Sequence, residues 1–394
     1  MFFIPFLRYF TARNFITTLY HKNHTLKRIL YIFLTITCAV SFVNCIKKDN
    51  KPADDSQDSF DKQALLTNYA DNLILPAYTS FKTALDSLVT VYTSFKSTGS
   101  VADFQVVKQK YLIAYLKYQR CDLFEMGPAE STIVRANFNI FPTDTVQIKS
   151  NISSGSYDLG VLSNLDAKGF PAIEFLFYGN NSNEADIISS FTTSSNRKQY
   201  VSTVLEEMTT KLNYVISTWN TSYRTTFINS LGTNIGSSIG FLINQLNFQL
   251  DYLKNAKIGI PLGKKSLDVV LPEKCEAYYS KQSVLYALAT LTSIENVYLG
   301  KSTSGSDGKG FDDYLDHLEA KYSSGTLNAA IKNQFAVTHT KLTAITGNLD
   351  AQIISNPTLV NAAYTELVKL LVLLKTDMPS SLGVVITYQD GDGD

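Results

Sequence analysis

Cysteine is scarce, with four in 394 residues and no pair at Cys-x-x-Cys spacing. That is too few for a disulfide scaffold or a cysteine-rich zinc site. Charge is also thin: 18% of residues are charged, and 35 basic side chains cancel 35 acidic ones. A polycationic nucleic-acid binder is excluded, and with 45% hydrophobic residues so is a disordered chain. Strand-like alternation is almost missing, being confined to Gly383-Val384-Val385-Ile386-Thr387-Tyr388. What is plentiful is aromatic: 23 Tyr and 23 Phe, with one Trp, so the core is built largely from rings. At ~150 residues per domain the length allows two or three domains.

The N-terminus reads as a targeting segment. Lys27-Arg28 precede an apolar run, Ile29 to Val43, that suits a signal-peptide core and is short for a membrane span. The run ends at Phe42-Val43-Asn44-Cys45, a loose lipobox in which Asn44 replaces the preferred small residue. Cys45 is therefore the expected lipidation site, ahead of Cys38, and residues 46–60 form a polar tether. Another apolar stretch lies ahead of the basic pair within residues 1–25, which fits a true start near Leu26. Removing residues 1–44 takes away Arg8, Arg13, Lys22, Lys27 and Arg28 and no acidic residue. The remainder is mildly acidic, with no electrostatic case for nucleic acid. Beyond residue 44 no uninterrupted apolar run approaches ~20 residues, so no further span is expected.

From residue 61 the pattern is helical. Phe81, Leu85, Leu88, Tyr92 and Phe95 alternate +4 and +3 spacing, which lays one apolar stripe on a helix. Val107, Tyr111, Ala114 and Tyr118 repeat it, as do Val284, Leu288, Leu291, Ile294 and Tyr298, and Ala363, Leu367, Leu370 and Leu374. Pro76 should kink or break the first of these helices. A weak match between Val91–Phe95 and Thr218–Tyr223 suggests duplication. The expected fold is all-α, with two tandem antiparallel helical bundles at 61–200 and 201–394.

Carboxylates in apolar helices mark where chemistry could sit. The segment Phe170 to Phe177 is apolar except for Glu174, with Pro171 in the first turn and Gly169 and Gly179 at its ends. Glu174 must find a cation or a donor, or stay protonated; it serves either a ligand or a lock between bundles. The stripe through Tyr118 continues onto Cys121 or Asp122 and then Glu125, with Arg120 on its flank. A solvated helix end accounts for these as readily as an oxygen-rich pocket for a hard cation or polar ligand.

These residues carry a family resemblance. Gly169-Phe170-Pro171-Ala172-Ile173-Glu174 and the aromatic run to Gly179 resemble the Gly-x-His-x-x-Glu signature of imelysin-like proteins. Six further blocks are similar in the same order: Leu75–Tyr78, Cys121–Pro128, Asn139–Asp144, Glu276–Ser283, Val297–Gly300, and Leu382–Tyr388 with the Asp390–Asp394 tail. The resemblance spans roughly 61–394. It implies two bundles with a site at their junction, an envelope location and a role in iron uptake. It adds Glu276, Tyr279 and Ser280 to the candidate ligand set of Glu174, Asp122, Glu125 and Arg120. It also implies that the family's old peptidase label is a poor guide. Pro171 stands where the family has His and offers no ligand atom, so only Glu174 carries over as a metal ligand.

The enzyme inventory is short. There is no His-Glu-x-x-His, and after residue 44 only His317 and His339 remain, neither beside a Gly-x-Ser-x-Gly turn. Cys121 and Cys275 either pair or stay free and buried. Asp390-Gly391-Asp392-Gly393-Asp394 lacks the distal Glu of a calcium loop and reads as a solvated tail. The expected function is a non-catalytic, lipid-anchored envelope binding protein of the outer membrane, on its periplasmic or surface side. Its ligand is open, a metal cation or a small polar compound, and an outer-membrane uptake component is the expected partner. The alternative is a structural or interaction lipoprotein; a metallopeptidase ranks last. One open cavity lined by Glu174, Asp122 and Glu276 would favour ligand binding, and a closed, cation-paired core the alternative. Cys45→Ala should release the protein from the membrane fraction on cell fractionation; continued retention would overturn the lipobox reading.

Overall fold

The computed structural model describes residues 59–179 and 183–388, and 72% of these are helical against 2% strand. The Cys45 lipobox, nearly all of the tether, and the Asp390–Asp394 tail lie outside the described residues. Helix α1 (Lys62–Asn68) starts at Asp61, whose carboxylate accepts the Ala64 N–H at 2.9 Å. A π turn (Tyr69–Ile74) joins α1 to α2 (Leu75–Thr98). Pro76, expected to kink or break this helix, does not break it. It sits in the first turn of α2, and the π turn just ahead re-spaces the backbone where the proline lacks a donor.

Gly99, at φ 62°, caps α2, and α3 (Val101–Tyr118) packs along it. The stripes anticipated on both helices are buried: Phe81, Leu85, Leu88, Tyr92 and Phe95 face Val107, Tyr111, Ala114 and Tyr118 in one core. Short elements follow: a 3-10 turn (Asp122–Phe124), α4 (Pro128–Ser131), α5 (Val134–Phe138), α6 (Thr145–Ser154), α7 (Gly169–Tyr178) and α8 (Glu184–Thr192). Helix α9 (Ser195–Thr218) is as long as α2 and packs on it.

A π turn (Trp219–Tyr223) leads to α10 (Arg224–Asn229). Helix α11 (Ser238–Tyr252) runs into another π turn (Leu253–Gly259). An irregular stretch then reaches α12 (Ser283–Tyr298) and α13 (Phe311–His317). After a small hairpin, β1 (Lys321–Tyr322) and β2 (Gly325–Thr326), come α14 (Leu327–Thr343), α15 (Leu349–Ser355), α16 (Pro357–Val372) and α17 (Met378–Leu382). The described residues from Phe60 onward form one compact unit.

Pro357–Leu382 is long and apolar enough, by length and composition, to cross a membrane. Val360, Ala363, Leu367 and Leu370 are buried and α16 packs on α14, as a core helix does. The alternating segment 383–388 forms no strand; Asn244 pins it, its Oδ1 accepting the Thr387 N–H at 2.6 Å.

Rings fill the core where α2, α3 and α7 meet. Tyr115 stacks on Phe170 at 4.5 Å between centroids, with Phe81 and Tyr118 each tilted by 43° against the same ring. A buried phenol needs an acceptor, and backbone carbonyls supply it. Tyr78 donates to Phe124 O at 2.8 Å, Tyr111 to Phe170 O at 3.1 Å and Tyr69 to Val297 O at 2.6 Å. These bonds tie loop backbone and α7 to the long helices, which fixes the position of the carboxylates described next.

Candidate functional site

Helix α7 is buried along nearly its whole length because every position from Phe170 to Phe177 except Glu174 is apolar. It starts at Gly169, at φ 72°, where a Cβ would lie 2.3 Å from Phe138 O. Only glycine permits that approach of backbone to backbone.

Glu174 is 3% exposed, and both of its hydrogen bonds fall on one oxygen. Oε1 accepts the Ser280 N–H at 2.8 Å and the Ser280 hydroxyl at 2.5 Å. Oε2 accepts none among the described residues. Burial pushes the Glu174 carboxyl up to about 7; the Ser280 bonds oppose the rise, and nearby Glu276 adds to it. Glu174 also lines a cavity of about 180 Å³ with Thr143, Pro171, Glu273, Cys275, Tyr278 and Tyr279, and Phe141 lines both this and a larger groove of about 420 Å³ beside Glu125 and Arg135. Ser280 is presented by a bend in which Ala277 and Lys281 adopt left-handed backbone at φ 52° and 60°. Such strain persists only where the surroundings enforce it. Here Ser283 Oγ donates to Glu276 O at 2.5 Å, and Lys281 pairs with Asp350 at 2.7 Å.

Glu276 and Asp122 do not share that cavity. Glu276, 1% exposed, lies 2.9 Å from the equally buried Lys257 ammonium. Its Oε1 accepts from Gln119 and Asn139, each at 2.8 Å, and from the Tyr115 hydroxyl at 3.1 Å. Lys257 donates to Gln119 Oε1 at 2.5 Å and Thr290 Oγ1 at 3.0 Å, so the ammonium is enclosed. Asp122 accepts from Tyr118 at 2.7 Å, Gln249 at 2.8 Å and Arg135 at 3.1 Å. The Arg135 N–H donates to Glu125 at 3.0 Å. Burial lifts Glu125 to about 7, Arg135 countering it and Asp122 reinforcing it. Both networks are closed, cation-paired locks. The criterion set by the sequence is thus split: Glu174 faces a cavity, whereas Asp122 and Glu276 do not.

Arg120 is not the cation of the acidic cluster; that is Arg135. Arg120 lines a different cavity, with Phe124 and Val297. Tyr279 lies where the sequence grouped it, its ring 5.5 Å from Phe175 and lining the Glu174 cavity. Sequence reasoning missed Lys257, Gln119 and Arg135. Lys257 shares its turns with Asp251, Lys254 and Asn255, so it does not stand out as Glu174 does, and nothing in the spacing marks Gln119. Cys121 and Cys275 are free and buried, and burial pushes the Cys275 thiol up to about 12, which keeps it protonated and inert.

The imelysin family profile (Peptidase_M75: Imelysin) matches residues 74–374. The chain belongs to the imelysin family. It is 22% identical over 259 residues to iron-regulated protein A of Synechococcus elongatus, covering 62% of this chain and 67% of that protein. Its fold matches a crystal structure described as an iron-regulated protein A precursor from Parabacteroides distasonis, with TM-score 0.67, 16% identity, and 82% and 95% of the two chains covered. An imelysin-like protein from Psychrobacter arcticum gives TM-score 0.64 at 16% identity, covering 83% and 97%.

A transition metal does not fit this imelysin-family site. Pro171 has no donor atom, Glu174 Oε1 is taken by Ser280, and among the described residues no group of three or more His, Cys, Asp or Glu could hold a metal ion. Two predictions follow from the geometry. Lys257→Met strands the Glu276 carboxylate and should lower unfolding free energy in urea by about 3–5 kcal/mol; adding Glu276→Gln, which keeps an acceptor for Gln119, Asn139 and Tyr115, should recover much of it. Glu174 has a folded-state pKa raised above the ~4.3 of an unfolded Glu. Its charging therefore costs stability progressively as pH rises through that interval. Glu174→Gln should gain stability relative to wild type as pH rises from about 4.5 to about 7 and then level off, by at most ~1.4 kcal/mol per pH unit. A pH-independent difference in unfolding free energy would contradict this.

Proposed function

We propose that this imelysin-family chain is a non-catalytic, lipid-anchored binding protein of the cell envelope. It holds a small polar ligand at Glu174 in a process tied to iron supply. The observation that carries the reading is the half-used carboxylate: Oε2 of Glu174 has no hydrogen-bond partner among the described residues, yet the group is almost fully buried and borders a cavity. A carboxyl held near 7 can offer a ligand either an acceptor or a donor at neutral pH. Thr143 and the Tyr278 and Tyr279 rings supply further polar and stacking contacts around it. The iron connection rests on the names of the cyanobacterial relative and the Parabacteroides structure. The envelope placement rests on the Cys45 lipobox.

A second reading is favoured by the closed Asp122–Arg135 and Glu276–Lys257 networks. In it the acidic residues only lock helices together, and the protein serves as an interaction lipoprotein for an outer-membrane uptake component. Thermal-shift screening of the full chain against metal chlorides and a panel of small polar compounds separates the two. A ligand at ~100 times its dissociation constant adds about 2.7 kcal/mol. The binding reading expects a compound that raises the melting temperature of wild type but not of Glu174→Gln. If no compound discriminates and Glu174→Ala merely loses stability, the lock reading stands.

A further inference from the structure

A second cavity, of about 110 Å³, lies between the first π turn and α2 on one side and α12 on the other, with the segment after α3 closing it. On the same kind of measure one water needs ~10–15 Å³, so there is room for several heavy atoms. Its floor is apolar: Leu73, Ala77, Phe124 and Val297 are all buried. Its rim carries Arg120, Asn296, Lys301 and Thr303, and no carboxylate lines it.

None of these four rim side chains makes an ion pair or hydrogen bond among the described residues. A guanidinium, an ammonium, an amide NH₂ and a hydroxyl therefore bring donors to one opening with no protein acceptor. Lys117 adds to the positive field: burial, and then the adjacent Arg120 charge, hold its ammonium below its ordinary value. By contrast, Lys257 is matched by Glu276 and Arg135 by Asp122. The C-terminal ends of α3 and α12, at Tyr118 and Tyr298, lie beside Arg120 and Lys301 in sequence. Their partial negative charge makes the unpaired cations tolerable without using up their donors.

We propose that this cavity binds a small organic carboxylate, its charge held between Arg120 and Lys301 and its short apolar body resting on Leu73, Ala77, Phe124 and Val297. Guanidinium and carboxylate match in a bidentate, charge-assisted pair. The apolar floor gives a hydrocarbon body an advantage that inorganic phosphate cannot use. The site is separate from the Glu174 cavity, with which it shares no lining residue.

The test is ligand-observed NMR and calorimetry on the full chain with butyrate and with inorganic phosphate, at matched ionic strength. Butyrate should bind, its methyl end receiving the strongest saturation transfer. Arg120→Ala and Lys301→Gln should each weaken it by about tenfold, the loss of one charge-assisted contact, while Glu174→Gln leaves it unchanged. Lys301 is exposed, so its variant folds independently of any burden at Arg120. The proposal is overturned if butyrate does not bind, if phosphate binds as tightly, if both rim variants bind butyrate like wild type, or if Glu174→Gln removes binding.

Discussion

The structure hinges on a lysine and a glutamate that have both left water. Lys257 and Glu276 are each 1% exposed and 2.9 Å apart, and a buried ion pair survives only when its remaining donors and acceptors are satisfied. Satisfying them draws in Gln119 and Tyr115 of the α3 region, Asn139 after α5 and Thr290 of α12. Elements remote in sequence must therefore meet in one arrangement, because any slip strands a charge in low dielectric. The Asp122–Arg135 network repeats the device one turn further on, tying in Gln249 of α11.

That constraint also explains the state of Glu174. The bend carrying Ser280 is continuous with Glu276, so the lock that holds Glu276 sets where Ser280 N–H and Oγ point. They reach one oxygen of Glu174, a residue that also lines the cavity. Burial and the negative Glu276 nearby raise the carboxyl to about 7, so the site is held near its own titration point by the same framework. At the signature position that resembles the family's His, this chain has Pro171, which brings no ligand atom to the carboxylate and the aromatic helix around it. The geometry fits hydrogen bonding better than metal coordination.

The helical stripes were legible because burial of one helix face imposes a 3.6-residue period that spacing alone displays. Phe81 to Phe95 and Val107 to Tyr118 fell on core faces as read. Glu174 was legible for a related reason: a lone carboxylate in an apolar run has to be accounted for. Its cation was not legible. Arg120 is one residue from the acidic stripe, but in the turn after α3 it lines another cavity, and Arg135 arrives from α5 to take its place. Sequence spacing does not reveal the π turn ahead of Pro76, which accommodates the missing donor without ending the helix.

By itself the sequence determined the class of structure, its helical faces, its aromatic core and the family, since each depends on local period or on short ordered blocks. Only the tertiary structure decided that Asp122 and Glu276 are locked by cations while Glu174 is held through one oxygen by Ser280. That difference is set by partners more than a hundred residues away, such as Gln119 to Glu276 and Ser280 to Glu174. Local spacing cannot encode it, because a buried charge is stabilised by whichever dipoles folding brings within ~3 Å, wherever in the chain they originate.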